Sequence, residues 1–590
     1  MKRTLMVFLL VNLMLSACAP VSAPTSTPAP SATLLPTATT VPTSTATPTS
    51  TPTATPTTTP ISTPIPTPTL TAVPWKETVV VNGAYPLVFS NVRNDYQHYP
   101  VIGTAIDGTV GDVKVRVSME IVTTEDTPKD FANGIYFENT LRAGLETIKD
   151  QSRYRALFLG YQHGAWFVTY QRGNDFVLYE RYLVTPNKKQ ELTLLIDRNG
   201  ESIQISAPGK AAKTYRLPAP LYDVKGTMGV VAQISAHSGL VISYLSVSQE
   251  SSASLTQQET EPSLRALAEK CGITIGSAAG TWPFLYDPQY QQVLSREFNL
   301  LVPEGEFDWV WLIRPSRDQY DFVAADQLIN FAIQHNMKIR AYLLPSGNPN
   351  TLPDWLTKSN YSRDELLSIV KDHIDTVISR YKGRISEWLV ASETIWDGKF
   401  VSWNFWLSKI GMEYIEHVFR WAKEADPDAV LIYEFDRNEG LDAQSNAVYE
   451  HIKQLREKGV PIDAVGMEMH LFAKNPPTKE RMLENMRRYK QIGVKVYVME
   501  LDVNLYGVSG TSQEKLALQA KIYKDVLEAC LESGNCESYT MWGFTDRSSW
   551  VLRPVYPFGG GEAPLIFDET FNPKPAYFAI RDVLSQCANR

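Results

Sequence analysis

Residues 495–546 read KVYVMELDVNLYGVSGTSQEKLALQAKIYKDVLEACLESGNCESYTMWGFTD, and this stretch decides the fold. An apolar run at 495–503 is followed by an amphipathic stretch at 512–530 and a second apolar run at 538–546. Strand, helix, strand is the unit of a parallel sheet, because the crossover needs a helix to bring the second strand back beside the first. The same alternation extends upstream, with apolar runs at 273–279, 299–307, 338–345, 387–393, 429–435 and 464–471 and helical stretches such as 319–336 and 363–381 between them. Eight strands over residues 263–590 imply an α/β fold, a closed (β/α)8 TIM barrel whose active site lies at the strand C-termini.

Upstream the pattern changes. Between residues 75 and 247 apolar side chains alternate with polar ones, as at Val113, Val115, Val117, Met119 and Ile121, which places them on one face of a strand. Turn signals at 173–175 and 197–200 separate further strands. This segment reads as an all-β sandwich, similar to a concanavalin-A or laminin-G-like jelly roll. Its aromatics Tyr161, Trp166, Phe167, Tyr170, Tyr179 and Tyr182 can stack on a glycan, but alternating strands also need aromatic core residues. Residues 248–262 are a polar join to the barrel.

The first residues concern address. Lys2 and Arg3 precede an uncharged apolar run from Leu5 to Leu15, too short to span a bilayer and suited to an export signal. The run ends in Leu15-Ser16-Ala17-Cys18, which resembles a lipobox; residues 1–18 are then a lipoprotein signal with Cys18 the lipidation site, the alternative being an ordinary cleaved signal. From 19 to 74 the chain is almost wholly Thr, Pro, Ser and Ala, with no Lys, Arg, Asp or Glu between Thr4 and Trp75. Such a composition cannot bury a core and forms an extended, hydrated stalk. The expected location is the outer face of a bacterial envelope membrane. Net charge of −8 without a basic stripe excludes a nucleic-acid partner.

Acids collect at the ends of the apolar runs: Glu304 after the second, Glu393 after the fourth, Glu468 on the sixth, Glu500 and Asp502 after the seventh. One strand-end glutamate is commonly a structural ion pair, but several call for a task. Glycoside hydrolysis with retention needs a protonated carboxyl and an ionised carboxylate about 5 to 5.5 Å apart.

Trp388-Leu389-Val390-Ala391-Ser392-Glu393, Val498-Met499-Glu500-Leu501-Asp502-Val503, Trp542-Gly543-Phe544-Thr545-Asp546 with Ser549-Trp550, and Pro564-Leu565-Ile566-Phe567-Asp568 before Pro573-Lys574-Pro575-Ala576-Tyr577 resemble glycoside hydrolase family 10, the endo-β-1,4-xylanases. The resemblance implies that Glu393 is acid/base and Glu500 nucleophile, that His470 and Asp502 support the nucleophile, and that Trp542 and Trp550 flank the sugar. Both tryptophans also suit barrel packing. It implies a polysaccharide substrate, xylan or a related β-glycan, and neither cofactor nor metal.

Departures from the family pattern concentrate in the sugar-lining segments. Its second-strand Pro-Glu-Asn-x-x-Lys becomes Pro303-Glu304-Gly305-Glu306-Phe307-Asp308, its third-strand His-Thr-Leu-Val-Trp-His becomes Tyr342-Leu343-Leu344-Pro345-Ser346-Gly347, the Asn before the acid/base becomes Ser392, and Gln-x-His becomes Glu468-Met469-His470. Hydroxyl recognition is thereby rewritten, which opens two further readings: a hydrolase of another β-glycan or of decorated xylan, and a degenerate glycan-binding lipoprotein. Cys530 and Cys536 fall where the family often has a disulfide; Cys271 and Cys587, neighbours in a closed barrel, are expected to form a second.

Overall fold

The structure, a computed structural model, describes most of residues 75–589; residues 1–74 and a number of short internal segments, the longest being 142–154, 251–260 and 553–560, lie outside the described residues. The lipobox Cys18 and the stalk therefore fall outside it. Among the described residues no helix is long and apolar enough to cross a membrane.

Residues 75–250 form two antiparallel sheets of seven strands each. One runs in the order Trp75–Val81, Ser238–Glu250, Val113–Thr123, Lys189–Ile196, Ser202–Ser206 and Lys213–Arg216, with Leu87–Asn91 also pairing Ser238–Glu250. The other runs Gln97–Pro100, Thr227–Ile234, Ala132–Leu141, Arg155–Gln162, Ala165–Arg172 and Asp175–Leu183, with Ile106–Asp107 beside Thr227–Ile234. Val113, Val115, Val117, Met119 and Ile121 all point into a core shared with Ile135, Leu157, Leu159 and Val230 of the second sheet. Tyr161 and Tyr170 are buried in that same core, which accounts for two of the aromatics as packing; the side chains of Trp166, Phe167, Tyr179 and Tyr182 lie outside the described residues.

The C-terminal part is a closed barrel of eight parallel strands. In order these are Thr274–Ala279, Leu300–Pro303, Lys338–Tyr342, Glu387–Ser392, Val430–Asp436, Ala464–Phe472, Lys495–Asn504 and Cys536–Met541. They are called strands one to eight below. Strong local signals begin the helices between them. Ser362 and Glu365 form a capping box for Arg363–Tyr381, and Thr511 and Glu514 do the same for Ser512–Ser533, whose other end stops at left-handed Gly534. Each box satisfies amides that the first helical turn leaves without carbonyl partners.

Three strand ends move, the third strand stopping at Tyr342 and not at 345. Strand two stops at Pro303, not 307, because residues 304–309 turn back so that buried Glu306 accepts hydrogen bonds from the Thr281 amide (2.7 Å), the Thr281 hydroxyl (2.6 Å) and the Gly305 amide (3.1 Å). Strand eight stops at Met541, not 546, where Gly543 takes φ +93°, a conformation that ends the strand.

The lower lumen carries one buried charge pair. Arg340 of strand three, fully buried, bonds Glu387 of strand four (2.8 Å) and reaches Ser538 (2.7 Å) and Thr540 (3.1 Å) of strand eight. Strands three and eight are not neighbours, so these bonds cross the barrel interior. A compact apolar group of Leu389, Ile432, Ala464, Tyr497 and Met499 also fills the interior, leaving the strand C-termini as the place for polar chemistry.

Candidate active site

Glu500 lies in strand seven and Glu393 follows the last residue of strand four. Both adopt the left-handed backbone region, with φ of 52° and 51°. For a non-glycine residue this costs on the order of 1–3 kcal/mol, and such strain persists only where surrounding structure enforces it. Each is associated with a break in the ladder: pairing shifts between Leu389 and Ala391 on strand four, and between Val498 and Leu501 on strand seven. The breaks interrupt the alternation of inward and outward side chains. The Glu393 amide donates to the carbonyl of Glu434 on strand five (3.2 Å), which ties the acid's backbone to the neighbouring strand.

The Glu500 carboxylate is clamped on both oxygens. Tyr342 of strand three donates its hydroxyl hydrogen to Oε1, and His470 Nε2 of strand six lies 3.1 Å from Oε2. His470 Nδ1 is 2.7 Å from Asp502 Oδ2, and the same oxygen accepts from Trp550 Nε1 at 2.9 Å. An imidazole between two carboxylates satisfies both only as a charged ring with two N–H donors. Burial works against that charge, but Asp502 and then Glu500 outweigh it and hold the His470 pKa well above the ordinary histidine range. The Trp550 ring sits edge-on to His470, with centroids 4.8 Å apart.

Acids beyond the pair crowd the same mouth. Glu434 of strand five is 1% exposed, and burial, then the charges of Glu500 and Glu393, push its pKa well above the carboxylate range. Glu468 of strand six is raised in the same way by burial and then by Glu500, Asp436, Glu393 and Glu434. Glu393 and Glu500 thus both lie within electrostatic reach of the same two carboxyls. Burial also pushes Asp436 up to about 6 and Glu439 up to about 7. Glu434 and Glu468 thus hold their protons more tightly than an ordinary carboxyl, and each can donate a hydrogen bond in its protonated form.

Sequence reasoning singled out Glu468 but missed Glu434, Asp436 and Tyr342 as site residues. The strand-end rule, applied to 429–435 as it was to the other runs, finds the first two. Tyr342 stands out in sequence only as the first residue of the altered third-strand segment; its contact with Glu500, 158 residues away, is visible only in the fold.

The other expected positions are distributed as follows. Ser392 ends strand four, buried and in register with Glu434. Glu304 stands just past strand two, and a Cβ added at Gly280 would meet its Oε2 at 3.2 Å. Trp542 stands edge-on to Tyr342, ring centroids 6.2 Å apart, half-buried at the site. Trp550 hydrogen-bonds the Asp502 that orients His470, a function beyond flanking a sugar. Pro345 and Ser346 lie outside the described residues. The sequence reading assigned no metal ligands, yet the fold brings one ligand atom each of Glu468, His470 and Glu500 within 4.8 Å of one another. Cys530 pairs with Cys536 and Cys271 with Cys587, with Cα separations of 5.0 and 5.7 Å that suit a disulfide.

A closed parallel barrel with several glutamates crowded at its strand ends, one of them clamped on both oxygens, is a framework for glycoside hydrolysis. Residues 263–583 match the family model described as glycosyl hydrolase family 10, and the chain belongs to that family. Among its relatives, endo-1,4-beta-xylanase B of Thermotoga neapolitana is 41% identical over 325 residues, covering 55% of this chain and 92% of the relative. Among solved structures, xylanase 10B from Thermotoga petrophila RKU-1 in complex with xylobiose is 39% identical with a TM-score of 0.52, covering 56% of this chain and 99% of that one. Native xylanase 10B from Thermotoga maritima is 40% identical with a TM-score of 0.52, covering 55% and 99%. The matched region is the barrel; the sheets before it lie outside these alignments.

Proposed function

We propose that the barrel cleaves internal β-1,4 bonds of xylan with retention of configuration, Glu393 acting as acid/base and Glu500 as nucleophile. The observation that carries this reading is the clamp on Glu500: a carboxylate held on both oxygens, at a strained strand-end backbone, keeps an orientation in which a lone pair can meet the anomeric carbon. In the first step Glu500 Oε attacks that carbon as its bond to the leaving oxygen breaks, and Glu393 gives its proton to that oxygen. In the second, Glu393 takes a proton from water, the water oxygen replaces the ester oxygen at the anomeric carbon, and Glu500 leaves as carboxylate. Neither step needs a cofactor. The endo-1,4-beta-xylanase names of the relatives support xylan as the substrate class.

A second reading rests on Glu434 and Glu468. Two further buried carboxyls beside the catalytic pair rewrite the hydroxyl contacts, which favours a decorated xylan or another β-glycan over bare xylan. We further propose export, with acylation at Cys18 and a stalk over 19–74 that holds the folded part off the membrane; the apolar run before Leu15-Ser16-Ala17-Cys18 and the stalk composition support this. The sheets at 75–250 join it as a glycan-binding candidate by association with the enzyme alone.

The test is reducing-sugar release from xylan, arabinoxylan, mixed-linkage glucan and mannan by the wild type, Glu393→Ala and Glu500→Ala. Loss on xylan in both variants fits the proposal. Preference for another polymer moves the substrate to the second reading, and tight oligosaccharide binding without turnover on any polymer identifies a degenerate binding lipoprotein.

A further inference from the structure

A histidine whose Nδ1 is fixed by a carboxylate presents Nε2 as its outward ligand atom, the usual preparation of an imidazole for a divalent metal. His470 has that geometry: Asp502 Oδ2 holds Nδ1 at 2.7 Å, while Nε2, whose proton a bound cation displaces to solvent, faces Glu500 Oε2 at 3.1 Å and Glu468 Oε1 at 3.7 Å. One ligand atom of each residue lies within 4.8 Å of the others. Metal–nitrogen and metal–oxygen bonds of roughly 2.0–2.2 Å place ligand atoms of a four-coordinate ion about 3.3–3.6 Å apart, so small side-chain adjustments bring the three onto one centre.

A second observation points the same way. Glu434, on the adjoining strand five and 1% exposed, has one carboxyl oxygen, Oε1, without a hydrogen-bond partner, and it lies within electrostatic reach of both Glu500 and His470. A buried polar oxygen left without a partner is costly and marks a place where a ligand or ion is accommodated. One imidazole and two carboxylates, with a further carboxyl alongside, is a donor set for zinc-class ions rather than for calcium or magnesium, which take oxygen alone.

We propose that Glu468, His470 and Glu500 bind one divalent ion of the zinc class, and that the ion silences the enzyme by occupying the carboxylate that attacks the sugar. The silencing rests on Glu500 being the nucleophile; the binding does not. A metal bond to Oε2 takes the lone pair that would form the glycosyl ester, and it draws His470 away from orienting that oxygen. No bond of the substrate is made or broken, so removal of the ion by a chelator restores the original site.

The experiment uses the whole chain, freed of metal by a chelator and titrated with zinc chloride by calorimetry, with unfolding temperature and xylan hydrolysis followed in parallel. The wild type should bind one Zn2+ with a dissociation constant on the order of micromolar or tighter, and unfold at higher temperature when loaded. Glu468→Gln, which keeps the side chain's shape and removes a charged ligand, should bind at least about ten-fold more weakly while unfolding as the metal-free wild type does. Cobalt added in place of zinc should give a visible d–d absorption band in the wild type that is absent from His470→Asn. Absence of binding at millimolar zinc overturns the proposal, as does equal affinity in Glu468→Gln, which places the ion elsewhere. Site-dependent binding that leaves hydrolysis unaffected supports the ion site and counts instead against Glu500 as nucleophile.

Discussion

Tyr342 donates its hydroxyl hydrogen to Oε1 of Glu500, joining strand three to strand seven across the mouth of the barrel. Desolvation first, and then the neighbouring Glu434 and Glu500, hold the tyrosine's pKa well above its ordinary range, so it stays a donor through the working range. Tyr342→Phe removes one of the two bonds that orient Glu500, the proposed nucleophile. The expected result is a fall in kcat/KM of roughly 10- to 100-fold, corresponding to about 1.4–2.7 kcal/mol, with little change in unfolding temperature. Steady-state kinetics on xylo-oligosaccharides checks it; unchanged kcat/KM removes Tyr342 from the mechanism.

Arg340 and Glu387 form a fully buried pair in the barrel interior. Removing either partner strands the other charge, so Arg340→Met and Glu387→Gln are each expected to destabilise by about 3–5 kcal/mol, while the double variant loses less than the sum. Denaturant unfolding of the four proteins gives the coupling; additive losses show that the pair is not energetically linked.

Glu439, in the loop after strand five, has a carboxyl oxygen without a hydrogen-bond partner and a pKa pushed up to about 7 by burial. A carboxyl raised on folding contributes stability that is fully present below its unfolded value near 4.5 and is lost as pH rises through about 7. Glu439→Gln should therefore stabilise the protein at pH 8, by about 1–3 kcal/mol, and leave it nearly unchanged at pH 4. Unfolding at the two pH values decides this; equal effects at both contradict the burial argument.

The two disulfides close loops of very different size, with sequence separations of 6 and 316 residues. Chain-entropy reasoning gives about 2 kcal/mol for the short loop and about 6 for the long one. Replacing Cys271 and Cys587 by Ala should lower the unfolding temperature more than replacing Cys530 and Cys536. The long bridge ties the first barrel helix, Leu264–Cys271, to the last, Pro575–Ala588. The reverse order in calorimetry would show that the closing contacts of the barrel do not need it.

Local periodicity carries the barrel strands because each is a short buried run between capped helices, and the 363–381 helix is legible to the residue from its Ser362 capping box. What periodicity does not carry is contact across the lumen. Arg340 reads as an ordinary charge within an apolar run, yet it is fully buried and bonded to two other strands. Glu434 reads as part of strand five, and only closure of the barrel shows it beside Glu393 and Glu500. Strands two and eight read too long because Glu306 and Gly543 turn the chain through side-chain bonding and a left-handed backbone, neither of which alters hydropathy.

In the proposed mechanism Glu500 forms a covalent bond to the sugar. Incubation with a 2-fluoro xylobioside bearing an activated leaving group, followed by proteolysis and mass spectrometry of the peptides, tests it most directly. A glycosyl adduct on the peptide containing Glu500 is expected, formed more slowly in Tyr342→Phe. An adduct on Glu393, Glu434 or Glu468, or turnover of a xylo-oligosaccharide with inverted configuration and no adduct, would contradict it.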